Sequence, residues 1–153
     1  MALELSSPAF ADGERIPPRY ARSGANISPP LRWSDAPPET RSFALIVEDP
    51  DAPRGTFRHW GVYDLSPLQD ELPEDADTNH RLIFQETVND FGSETYDGPQ
   101  PPPGHGPHHY HFRLAALDVD RLDLDGGVKA SEMWSAARPH IIAEAELVGV
   151  YEQ

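Results

Sequence analysis

GPQPPPGHGPHHYHFRLAALD, from Gly98 to Asp118, runs a Gly/Pro loop into an alternating strand, with histidines at the seam. Proline fixes φ and lacks an N–H donor, while glycine bares the backbone, so such a loop is stiff and admits a ligand close to its main chain. From Ala116 back to His108 the side chains alternate. Ala116, Leu114, Phe112, Tyr110 and His108 share one face, and His109, His111 and Arg113 the other. The apolar face predicts the core. That puts His108 at the core's mouth and turns His109 and His111 outward.

Working outward, Ser42 to Glu48, Trp60 to Leu65 and Leu147 to Tyr151 join His108 to Asp118 as strand candidates. SFALIVE at Ser42 is almost continuously apolar, which predicts a central strand covered on both faces. Ala130 to Ala137 reads as a helix, after Asp125, Gly126 and Gly127 and before Pro139. A second short helical piece is expected over His140 to Glu146. The acidic stretch Asp70 to Asp77 reads as a solvated loop. Seventeen prolines and 11 glycines favour short strands between turns, and some X–Pro bonds are expected to be cis. These elements predict an all-β fold with minor helices, an antiparallel sandwich, in a single domain over residues 1–153.

Twenty-six acidic residues against 12 basic ones leave a net charge of −14, and Lys129 is the only lysine. Such a surface disfavours nucleic acid and anionic membranes, which both need a basic patch. Adaptation to high salt and a GC-rich coding bias both fit this balance. With no cysteine there is neither disulfide nor thiolate metal site. MALELSSPAF has no basic n-region or apolar h-region, and no 18-residue apolar run exists, so a cytoplasmic location is expected.

Two motifs bring the chain close to a known family. DPDAP at Asp49 to Pro53 is followed by His59-Trp60, and GPQPPPGHGPHHY at Gly98 to Tyr110 stands where the family typically has GPxPPxGxxxHRY. NISPPLRW at Asn26, NDFG at Asn89 and the AEAELVGVYE ending support them in order. The chain resembles the phosphatidylethanolamine-binding proteins, in their prokaryotic Raf-kinase-inhibitor-like branch. The resemblance implies two antiparallel sheets in a Greek-key sandwich, no cofactor, and a pocket for small anions such as phosphate, phosphoryl headgroups and carboxylates. It also implies a twofold homodimer and, from animal members, regulation of a protein partner. Two departures stand out. His109 replaces the arginine before the tyrosine, removing a fixed bidentate cation, and Gln100 sits where glycine or cysteine is common.

The ligand-binding set carried over is Asp49, Asp51, His59, Gly98, Gln100, His108 and Tyr110. His59 and His108 are expected as the principal N–H donors, with Asp49 favouring an imidazolium and fixing its tautomer. Gly98 and the backbone beyond it are expected to aim N–H groups at the anion, and Tyr110 to add a hydroxyl at the rim. Asp49 is expected to serve both turn and site, and Asp51 mainly the turn. The spacing of His105, His108, His109 and His111 invites a metal reading. However, the strand turns His108 away from His109 and His111, short of the three or four ligands zinc takes, so no metal is expected. A catalytic motif is absent. The alternative function is weak hydrolysis by an Asp–His pair in the same pocket.

Overall fold

The computed structural model describes residues 2–78 and 83–153. Among the described residues the strands are β1 (Glu4–Ser6), β2 (Leu31–Ser34), β3 (Ser42–Asp49), β4 (Phe57–Leu65), β5 (Glu71–Leu72), β6 (Gln85–Glu86), β7 (His108–Leu117) and β8 (Ile141–Tyr151). One α-helix, α1 (Ala130–Ala137), precedes β8. A three-stranded sheet runs β1-β2-β5 and a five-stranded sheet β6-β4-β3-β7-β8, with every named pair antiparallel. In the larger sheet β3, β4 and β6 follow one another and β7 returns beside β3. This is the order of a Greek key.

β3 is buried at every position, as its apolar run requires. Phe43, Leu45 and Val47 face the smaller sheet, where they join Leu5, Leu31 and Trp33 in the main core with Phe112 and Leu114 of β7. Ala44 and Ile46 face the other way, against Met133, Trp134 and Ala137 of α1. Met133 is fully buried there, so truncation to alanine costs about 2–5 kcal/mol. The Lys129 N–H at the start of α1 is taken by the Glu132 side chain three residues on, as in half of a capping box.

The expected helical piece at His140 to Glu146 is corrected. A short 3-10 turn, Arg138–His140, leads into β8, which begins at Ile141 and not at Leu147. Ala and Glu suit a helix, but Ile141, Ala143, Ala145 and Leu147 alternate with outward Ile142, Glu144 and Glu146. Pairing along all of β7 realises that period of two. The Asp70 to Asp77 stretch is only partly a loop: Leu72 pairs with Leu31, and Leu72 and Ala76 are buried. Among the described residues no peptide bond is cis, so the cis-proline expectation is also corrected. No described helix is long and apolar enough to cross a membrane.

β7 presents its faces as its alternation predicts. His108, Tyr110, Phe112, Leu114 and Ala116 are buried and His109 is exposed. His111 and Arg113 are half-buried beside Glu146, at 3.3 and 3.0 Å.

Candidate functional site

The site forms where β3 ends between its two neighbours. β4 lies on one side and β7 on the other, so His59 and His108 flank Asp49. All three line a cavity of about 170 Å³ with Tyr110, Gln100 and an apolar wall of Phe57, Phe91, Pro101 and Pro102. A water occupies about 30 Å³ of liquid, so the space holds a few waters or one small oxyanion, well below a drug-sized pocket. A groove of about 660 Å³ beside β1 is larger, but its polar lining, including Glu4, Asp12, Glu71 and Arg32, is a surface of mostly like charge. The smaller cavity is where different polar groups converge.

Asp49 serves two structures at once. Its Oδ1 accepts the Asp51 N–H at 2.8 Å, closing the DPD turn, and its Oδ2 accepts Nδ1–H of His108 at 2.7 Å. A carboxylate only accepts, so the His108 proton sits on Nδ1 and Nε2 is the nitrogen left for other partners. That atom meets Nδ1 of His105, 2.6 Å away. With Nε2 bare, His105 Nδ1–H is the donor in this contact. Two nitrogens bound to one tetrahedral zinc lie roughly 3.3 Å apart, given Zn–N bonds near 2.0 Å. No described group of three or more His, Asp and Glu side chains is arranged around a metal position.

His59 is held differently. Its Nδ1 lies 2.9 Å from the Asp97 carbonyl, which can only accept, so Nδ1 carries the proton. Burial lowers the pKa of this imidazole, against the opposing pull of the Asp97 carbonyl and the Asp49 charge. The ring is therefore neutral at pH 7, with an acceptor lone pair on Nε2. This corrects the expectation of an imidazolium donor at His59.

Behind His59 stands a buried network that the motif reading left without a role. Asn26 Nδ2 and Asn89 Nδ2 donate to the two Asp97 oxygens at 2.9 and 2.8 Å, and Asn26 Oδ1 accepts the Gly98 N–H at 2.7 Å. Asn26 adopts the left-handed region (φ 57°), where asparagine is favoured. Asn26 opens NISPPLRW and Asn89 opens NDFG, so the sequence carried the signal but not its purpose.

Gly98 is corrected too. Its N–H is spent on Asn26, and it does not line the cavity. Glycine is needed there because a Cβ would run into the Tyr20 carbonyl oxygen. Asp51 lies outside the cavity as well and takes both the backbone N–H and Nδ1 of His109 at 2.8 Å. Its slight burial would raise its pKa, but the His109 hydrogen bonds carry it below the usual value. Gln100 does line the cavity. Its Oε1 accepts from Arg22 at 2.8 Å, leaving the amide NH₂ to donate, while the Arg22 guanidinium stacks 4.1 Å over Phe91.

Tyr110 is deeper than a rim residue, with 1% of its surface exposed. Its hydroxyl makes no hydrogen bond of normal geometry among the described residues, although the Gln100 backbone N–H and the Asp49 carboxylate lie near enough to act on it. Burial, then the Asp49 charge, pushes its pKa well up, so it stays a donor.

Comparison with known proteins identifies the family. Residues 6–152 match the model of the family "Phosphatidylethanolamine-binding protein". A UPF0098 protein of Aquifex aeolicus is 41% identical over 152 residues, covering 99% of this chain and 89% of its own. The crystal structure of the phosphatidylethanolamine-binding protein homolog CT736 from Chlamydia trachomatis superposes with a TM-score of 0.89 at 42% identity, covering 99% of this chain and 98% of that one. YbcL of E. coli, described as a member of the mammalian PEBP family, gives 0.94 at 32% identity, covering 100% and 99%. The shared sandwich, the near-complete coverage and the two motifs meeting at one cavity lead to one conclusion: the chain belongs to the phosphatidylethanolamine-binding protein family.

Proposed function

We propose that the chain is a binding module for a small oxyanion, a phosphate, phosphoryl group or carboxylate, held in the cavity between His59, His108, Gln100 and Tyr110. One observation carries this: the Tyr110 hydroxyl is buried without a well-formed hydrogen bond, and leaving such a group unsatisfied costs about 1–3 kcal/mol. A ligand oxygen relieves that cost. The Gln100 amide offers a second donor, and His59 Nε2 offers an acceptor for a protonated ligand oxygen. Hydrogen phosphate and phosphomonoester monoanions have such an O–H, and sulfate does not. Asp49 lies nearby, so a proton on the ligand or on the His105–His108 pair also eases repulsion between carboxylate and anion.

The cavity accommodates a headgroup but not acyl chains, and a surface of net charge −14 opposes docking to anionic membranes. Phosphate has five non-hydrogen atoms, and a ceiling of about −1.5 kcal/mol per atom limits its Kd to roughly 3 μM or weaker. Calorimetric titration with inorganic phosphate, with sulfate as control, tests the reading. Saturable heat with phosphate and at least a tenfold weaker response to sulfate is expected. Indistinguishable, unsaturable heats for both refute it.

A second reading, hydrolysis with His108 as general base, is favoured by the 2.7 Å Asp49–His108 contact. Against it, no Ser or Thr lines the cavity, and the nitrogen that would take the proton is engaged by His105. Turnover of chromogenic phosphoesters that disappears in His108→Ala would establish hydrolysis.

A further inference from the structure

We propose that His105 is an internal competitor for the ligand: it occupies the one His108 nitrogen through which that residue could hold an anion, and a bound anion displaces it. The proposal rests on the anion-pocket reading and goes beyond it by assigning a role to a residue outside the cavity lining. The logic is positional. His108 has two nitrogens, and Asp49 holds Nδ1. Any contribution of His108 to a ligand therefore passes through Nε2, which lies 2.6 Å from His105 Nδ1.

The two imidazoles are built unequally. His108 is 2% exposed and clamped from behind by Asp49. His105 is exposed, and its ring makes no other hydrogen bond among the described residues. It stands between Gly104 and Gly106, both at positive φ (75° and 88°). A Cβ added at either glycine would meet no atom within 4 Å, so the space beside the turn is open. The turn is pinned by its backbone, through His105 N–H to the Pro102 carbonyl at 3.1 Å and Gly104 N–H to the Gln153 carbonyl at 2.8 Å. The His105 side chain can therefore swing into solvent without unfolding the turn, at the loss of one hydrogen bond. A swung-out His105 leaves Nε2 of His108 facing the incoming ligand. The His109 imidazole does not take its place, because Asp51 holds it on the opposite face of β7.

The experiment titrates inorganic phosphate into the intact protein and into His105→Ala, following side-chain nitrogens by NMR. Losing a competing hydrogen bond of ordinary net strength predicts about 2- to 10-fold tighter phosphate binding by His105→Ala. In the native protein, the coupling between His105 Nδ1 and His108 Nε2 should vanish as the site saturates. A structural support role would give the opposite result, weaker binding in the variant. Equal or weaker binding overturns the proposal. So does phosphate that shifts His59 and Tyr110 while the His105–His108 coupling persists, which leaves the pocket reading intact. Absence of binding in both proteins removes the pocket reading and this proposal together.

Discussion

Asp49 and His108, 59 residues apart in sequence, meet at 2.7 Å with both side chains almost fully buried. The carboxylate also closes its own turn, so the end of β3, the DPD turn and the start of β7 are tied through one side chain. Asp49→Asn keeps the shape and the turn acceptor but sets an amide N–H against Nδ1–H of His108. Because the ring can switch tautomer and accept that N–H, unfolding in urea should show a loss of about 1 kcal/mol, the difference between a hydrogen bond to a charged group and a neutral one. The nitrogen spectrum of His108 should show its proton moved to Nε2. An unchanged tautomer contradicts the role given to Asp49.

Tyr110→Phe separates binding from folding. The hydroxyl has no well-formed hydrogen bond to lose, so stability should stay within about 0.5 kcal/mol of the parent or rise. Phosphate affinity should fall about 5- to 10-fold, by the measure of one ordinary hydrogen bond. Paired denaturation and titration measurements check both halves. A stability loss above 1 kcal/mol would mean that the hydroxyl is already satisfied inside the protein.

Much of this was legible in the sequence, for identifiable reasons. β3 and β7 announced themselves because continuous and alternating apolar runs leave few other arrangements. Asp49, His59, Gln100, His108 and Tyr110 do converge on one cavity. The short strands β1, β2, β5 and β6 are not legible because two to four residues carry no measurable period. β8 was half misread, since Ala and Glu favour a helix in isolation and only pairing with β7 decides otherwise. His59's neutral state and the part played by His105 depend on which carbonyl or ring lies across a gap of under 3 Å. No sequence pattern reports that.

Gly98→Ala tests the reason assigned to that glycine. The Tyr20 carbonyl oxygen it would strike is held by the Tyr96 hydroxyl at 2.8 Å, and Arg22 N–H bonds Pro99 alongside. The neighbour cannot yield cheaply. A destabilisation of about 2 kcal/mol or more is expected, together with weakened phosphate binding as the loop shifts. Thermal melting and titration read the two effects. A variant as stable as the parent refutes the close-packing account.

Glu86 supplies a pH signature remote from the cavity. Burial, only partly offset by the Trp60 N–H at 2.7 Å, pushes its pKa up to about 7. An acid whose pKa is raised in the folded state binds its proton more tightly there than in the unfolded chain. Its neutral form therefore supports the fold below about pH 4.5, and that support is lost as pH rises to about 7. Glu86→Gln should gain about 1 kcal/mol at pH 8 relative to the parent, after discounting for partial exposure, and nothing at pH 4. Denaturation at the two pH values checks it, and an equal difference at both contradicts it.

The central claim is that groups from β3, β4 and β7 converge on a cavity shaped for one small oxyanion. A crystal structure determined from protein grown in inorganic phosphate tests it most directly. The prediction is a phosphate in the cavity lined by His59 and Tyr110, with one oxygen within 3.2 Å of the tyrosine hydroxyl and the His105 ring turned away from His108. Phosphate found only on the surface, with water alone in that cavity, would contradict it.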